Sequence, residues 1–353
     1  MEILKKIIMQ IPLVLSNSII GDLMSQKYKL ERNFIEEKFT IETPKILNKE
    51  YQKELDNVIN NEIDEVIINF IKTIKQNQPK ENLYLLSNNI STFRKNEESI
   101  IRYIKNIILL TLTGYGKAGG YCQKKNVIVT INTSKYPKKV QKYIDQEQMK
   151  NILNHELLHL SSSARYEKTN MFSKMNSGFF QYSIGQIEIG RGINEGYTEL
   201  LNERYFGEKG YTVAYKYEML ITKIIELIIG KEKMENFYFN ANLNGLIQEL
   251  SKYSDIESVK EFILDVDLIN KSLSNIYIKD KDLLETNQII TNFLANLAIT
   301  KTTLELKKQQ IPEQEGSKII IEILEILKKL TDALNGRLNK KIENSYIESK
   351  YQR

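Results

Sequence analysis

The only two histidines of the chain fall within five residues, in the run His155-Glu156-Leu157-Leu158-His159. No other feature restricts the fold as strongly. On a helix, positions i and i+4 differ by about 40° around the axis, so both imidazoles leave the same face. That arrangement suits two ligands of one tetrahedral zinc ion. Glu156, turned about 100° from His155, can reach solvent at the metal without being a ligand. The opposite side carries Met149, Leu153, Leu157 and Leu160, which would anchor the helix on a core. Asp145 and Gln148 form a capping-box-like start, and the spacing predicts a helix to about Ser162.

Composition prunes the choice of a third ligand. With two histidines, neither a three-histidine site nor the third histidine of a metzincin can be built. The single cysteine, Cys122, excludes an internal disulfide and a cysteine-rich zinc module. Asp, Glu or Cys122 remain. The run Gly192-Ile193-Asn194-Glu195-Gly196-Tyr197-Thr198-Glu199 again sets two chemically useful groups four apart, Glu195 and Glu199. Glu195 can complete two imidazoles plus one carboxylate and leave a fourth position open to water. Glu199 can accept a hydrogen bond from the outer nitrogen of a liganding histidine and so fix its tautomer.

HExxH followed by an Asn-Glu-x-x-x-(Asp/Glu) helix resembles the gluzincins, the thermolysin-like clan of zinc metallopeptidases. The resemblance implies one zinc ion held by His155, His159 and Glu195, with Glu156 as general base. It further implies Glu199 as the acidic partner of His155 and Asn194 as a polar support for His159. It also implies a sheet upstream of the active helix whose edge strand pairs with the substrate backbone. Ala118 to Cys122 is the candidate edge and Asn126 to Ile131 the inner strand, with Gly119 and Gly120 suited to close approach of a peptide. Thermolysin's additional oxyanion-stabilising histidine has no counterpart here. Other gluzincins use a tyrosine, and Tyr205, Tyr211, Tyr215 and Tyr217 follow the Glu195 helix while Arg191 precedes it.

The rest of the chain reads as predominantly helical α+β: a gluzincin-like core of a small antiparallel or mixed sheet plus the two motif helices, flanked by helical regions. The expected division is residues 1–95 as an N-terminal helical region, 96–230 as the metallopeptidase core and 231–353 as an all-helical C-terminal region. Apolar positions from Leu55 to Ile74 recur at three and four residues, predicting one long helix between Pro44 and Gln76, ended by Asn77-Gln78-Pro79. Another helix is predicted over Glu97 to Leu112. Residues 163 to 192 are polar, with one β stretch from Phe179 to Ile189, and are expected to form one wall of the cleft or a mobile flap. Beyond Gly210 helices are expected at roughly 211–229, 232–250, 256–272, 281–308 and 317–350.

Fifty basic against 45 acidic residues leave a net charge of +5 with no dense basic block, which disfavours a nucleic-acid partner. The lysines of Lys328–Lys341 lack interleaved aromatic stacking groups and read as a solvated face. No run approaches the ~18 apolar residues of a membrane span, so no integral membrane segment is expected. Met1 to Gly21 resembles an export signal only loosely, because Gln10 and Pro12 interrupt its apolar stretch, and a cytoplasmic location is expected with secretion as the alternative. The expected function is hydrolysis of peptide bonds in a peptide or protein substrate by a zinc-activated water, with Glu156 as base. The alternative is a non-catalytic helical interaction or regulatory protein with a structural or vestigial zinc site, for which Cys122 is the available fourth ligand.

Overall fold

The structure, a computed structural model, describes residues 51–61, 64–90, 94–98, 119–122, 127–131, 146–165, 175–183, 187–207, 215–272 and 280–351. Three helices come first: α1 (Tyr51–Asn61), α2 (Glu65–Asn77) and, after a short 3-10 turn, α3 (Tyr84–Ile90). The single long helix expected between Pro44 and Gln76 is therefore two. Asp64 starts the second by accepting a hydrogen bond from Val66 N at 3.0 Å, the capping role for which aspartate competes with helix interior geometry. Ile67, Phe70, Ile71 and Ile74 of α2 are buried, and the helix stops before Pro79 as expected.

Strands β1 (Arg94–Glu98), β2 (Gly119–Cys122) and β3 (Val127–Ile131) form a mixed sheet in the order β1-β3-β2. β3 is central, parallel to β1 (Arg94 opposite Val127) and antiparallel to β2 (Gly119 opposite Thr130). Glu97 and Glu98 belong to β1 rather than to the start of a helix. Their run, Arg-Lys-Asn-Glu-Glu, has no apolar period of its own, and pairing with β3 decides its conformation. The remainder of that expected helix, Ser99 to Leu112, lies outside the described residues, as do Ala118, Asn126 and the segment Met1 to Gly21.

Helix α4 (Gln146–Ser161) packs on β2, β3, α2 and α3. Its C-terminus is closed by three serines. Ser161 Oγ donates to Leu158 O at 2.7 Å, Ser162 Oγ to the same carbonyl at 3.1 Å, and Ser163 Oγ to His159 O at 2.6 Å. These hydroxyls add to the one backbone donor, Ser162 N, that the two carbonyls share at 3.2 and 3.4 Å. Beyond it lies a four-stranded antiparallel sheet, β4 (Ser163–Arg165), β5 (Met175–Ser177), β6 (Phe180–Ser183) and β7 (Ile187–Ile189), in sequential order. The expected stretch Phe179 to Ile189 is thus two strands, which pair with Gln181 opposite Ile189.

Seven helices follow among the described residues: α5 (Arg191–Phe206), α6 (Lys216–Ile229), α7 (Lys231–Phe239), α8 (Leu243–Leu250), α9 (Ile256–Ser272), α10 (Asp280–Lys307) and α11 (Glu313–Tyr351). The helix expected over 232–250 is broken at Ala241, which has φ 51°, while Asn242 Oδ1 caps α8 by accepting from Gly245 N at 2.8 Å. One apolar core cluster contains residues from Leu55 to Leu338, and α5 lies at its middle, against α4, α6 and α9. No helix among the described residues is long and apolar enough to cross a membrane.

Candidate metal centre

Helix α4 presents His155 and His159 on one face, and α5 crosses it to present Glu195 and Glu199. His155 Nε2 and His159 Nε2 are 3.1 Å apart, and Glu195 Oε2 lies 3.2 Å from the first and 3.3 Å from the second. One ligand atom from each of the three residues lies within 4.8 Å of the others, and no other such group of His, Cys, Asp or Glu occurs among the described residues. Ligand bonds of 2.0–2.1 Å directed to tetrahedral corners set donor atoms about 3.3 Å apart, so the triangle has the size a zinc-like ion requires. The nitrogens add a chemical constraint. Two ring nitrogens at 3.1 Å need either one proton between them or a cation that both lone pairs face.

The surrounding groups prepare His155 for the second option. Glu199 is buried, and its Oε2 lies 2.9 Å from His155 Nδ1. With the Nδ1 proton donated to that carboxylate, the Nε2 lone pair points into the triangle. Burial lowers the proton affinity of this imidazole, but hydrogen bonds to Glu195 and Glu199 outweigh it and push its pKa up to about 10. Burial opposes ionisation of Glu195, yet the two imidazoles hold its carboxyl well below the usual range. A metal ion would replace that proton and satisfy the same charges.

Around His159 the arrangement is more crowded. Asn194 Oδ1 accepts from Phe179 N at 3.0 Å, which turns its amide nitrogen towards His159 Nδ1 at 3.2 Å. Thr198 Oγ1 stands 3.4 Å from the same ring nitrogen, donates to Asn194 O at 2.7 Å and meets Tyr238 Oη at 2.7 Å. As placed, the Asn194 amide donates to Nδ1 and leaves the ring proton on Nε2; an Nε2 lone pair for metal requires the proton on Nδ1 instead, and Thr198 Oγ1, at 3.4 Å, is the oxygen that could accept it. Thr198 and Tyr238 were not among the sequence candidates. Thr198 lies on the same helix as Asn194, four residues on, and was open to that reasoning. Nothing in the sequence connects Tyr238 with it.

Glu156 is half-buried and acts on His155 through charge, without a hydrogen bond to it. Of the candidate tyrosines among the described residues, Tyr215 is the one whose ring meets a histidine of the triangle. Its ring stacks on His155 with centroids 5.7 Å apart. The charge of Glu195, then burial, then the charge of Glu156 raise its hydroxyl pKa well above the ordinary value, which keeps the phenol protonated. Tyr205 donates to Glu235 at 2.6 Å and Tyr217 to Asn287 at 2.9 Å, so both hydroxyls are engaged elsewhere. Arg191 pairs with Glu188 at 3.2 Å and lies over the Phe180 ring. Tyr211 lies outside the described residues. Gly119 and Gly120 sit on β2, opposite Thr130 and Val129, in a strand that packs on α4 and is paired on one side among the described residues. Cys122 ends the same strand, its side chain outside the description.

The glycines of α5 explain how closely it is held. Gly190 has φ 81° and serves as its N-cap without a side chain to offer. A Cβ on Gly192 would lie 2.9 Å from Val266 O of α9, and one on Gly196 would fall on the backbone carbonyl of Glu218 in α6. Each helical glycine costs about 1 kcal/mol in helix propensity relative to alanine, offset here by contact between backbones. Glu218 is fully buried and is paired with Arg337 of α11, whose Nη1 donates to Glu218 Oε1 at 2.7 Å.

Comparison with known proteins gives no match: no family model, no curated protein and no solved structure aligns with the chain.

Proposed function

We propose that this protein is a zinc-dependent metallopeptidase of the gluzincin type, which hydrolyses peptide bonds in a peptide or protein substrate. The observation that carries the proposal is the triangle of His155, His159 and Glu195, three donors with no fourth protein ligand among the described residues. Three protein ligands leave a position free for chemistry, whereas structural zinc sites close with four. When bound there, zinc supplies Lewis acidity, polarising a carbonyl oxygen and lowering the pKa of a water to roughly 7.

The chain's own residues supply the rest. The Glu156 carboxylate accepts the proton of the attacking water and delivers it to the leaving nitrogen. Glu199 keeps the His155 proton on Nδ1, so that Nε2 remains a donor of electrons. Tyr215, protonated and stacked on His155, offers its hydroxyl to the carbonyl oxygen as negative charge develops there. The side of β2 left unpaired among the described residues, with Gly119 and Gly120, receives the substrate backbone as an added strand.

A peptide-library digest tests the reading. Wild-type protein is expected to cleave, a chelator to stop cleavage, and Glu156→Gln to retain metal while losing turnover by about 10²-fold or more. Equal cleavage by Glu156→Gln would refute the assignment of the base. Metal binding without any cleavage would favour the non-catalytic alternative.

A further inference from the structure

Helix α5 delivers Asn194 at the end of its first turn and Glu195 at the start of its second, and that first turn is poorly supported by its own sequence. The N-cap is Gly190, at φ 81° and with no side-chain cap, and glycines recur at 192 and 196. A helix start of this composition frays unless an outside acceptor takes up its free N–H groups. That acceptor is Asp267 of α9. Its Oδ2 accepts from Gly190 N and its Oδ1 from Gly192 N, both at 2.7 Å. Asp267 is 2% exposed, and the contact spans 75 to 77 residues of sequence. Its carboxyl also lies at the positive end of the helix dipole, which favours the ionised form against the burial that opposes it.

The glycines and the aspartate form one device. Gly192 allows the backbone of Val266, the residue before Asp267, to approach so closely that a Cβ there would lie 2.9 Å from Val266 O. Gly190 leaves no room for a Cβ against Phe179 O, and Phe179 N is the group that orients Asn194 beside His159. The site side of the turn and its buried side are thus joined through two residues.

We infer that Asp267 is a positioning residue for the metal centre, capping α5 from a distant helix so that Glu195 is held at the two imidazoles before any metal arrives. The inference rests on the proposed metal site but not on the proposed reaction, since a centre that binds metal without hydrolysing peptides would need it equally. Asp267 touches neither metal nor substrate in this role.

Two readouts on the full-length protein test it. Hydrogen exchange of the metal-free protein reports the amides of 191–196 directly, and a zinc titration against a chromophoric chelator reports affinity. Asp267→Ala is expected to speed exchange in 191–196 by about tenfold or more relative to α6. It is also expected to weaken zinc binding by about 10-fold, within the range typical of groups that orient ligands. Asp267→Asn, which keeps one acceptor oxygen, is expected to fall between Asp267→Ala and wild type in both. It also serves as the test variant if the alanine form does not fold. A lower melting temperature with unchanged exchange in 191–196 and unchanged zinc affinity would overturn the inference, because that is the pattern of a merely structural group. If wild-type protein binds no zinc, the metal site fails, yet the exchange experiment still decides whether Asp267 holds this turn.

Discussion

Glu199 Oε2 stands 2.9 Å from His155 Nδ1, while the other nitrogen of the same ring is 3.2 Å from Glu195 Oε2. One imidazole is therefore held between two carboxylates that leave α5 one turn apart. The inner one shares the candidate ligand triangle, and the outer one fixes the ring.

Glu199→Ala removes that outer support. Zinc affinity is expected to fall by about 10–100-fold, with Glu199→Gln retaining part of it because its amide oxygen still accepts a hydrogen bond. Competition with a chelating dye measures both.

Tyr215→Phe keeps the ring that stacks on His155 and deletes only the hydroxyl. If that hydroxyl serves the developing oxyanion, kcat falls by about 100-fold with little change in KM or in zinc content. Steady-state kinetics on a cleaved peptide separates these terms.

Gly196→Ala sets two effects against each other. Alanine gains about 1 kcal/mol of helix propensity. Its Cβ, however, would fall on the Glu218 carbonyl and lie 2.8 Å from Glu218 Cβ, and overpacking of this kind costs about 1–3 kcal/mol. Since the obstacle is backbone rather than a flexible side chain, net destabilisation is expected, read as a lower denaturant midpoint.

The pH dependence of stability follows from Asp267. Burial pushes its carboxyl up to about 7 from an ordinary 3.8, against the N–H groups of Gly192 and Gly190 and the positive charges of Lys271 and Arg191. The folded state then holds a proton that the unfolded state has released. Its contribution is complete below pH 3.8 and is lost as pH rises through about 7. Asp267→Asn, unable to titrate, is expected to flatten this part of the stability profile, measured by urea unfolding across that window.

Both motif helices were legible because each places chemically matched residues at i and i+4, and α4 and α9 have close to the bounds their patterns predict. Helix ends written in local chemistry were readable as well, such as Pro79 after α2. What the sequence withheld was pairing between distant segments. β1 has no apolar alternation and owes its conformation to β3. Asp64 and Ala241 interrupt two helices whose apolar periods continue across the break. Asp267, buried beside the apolar face of an ordinary amphipathic helix, carries no local mark of the two amides it holds.

The most direct measurement is the metal content of protein purified without added metal, compared between wild type and Glu195→Ala. About one zinc per chain is expected in the wild type, with a large loss in the variant. A wild type that retains no zinc and takes up none on titration, or a Glu195→Ala form that binds it equally well, would contradict a centre built from His155, His159 and Glu195.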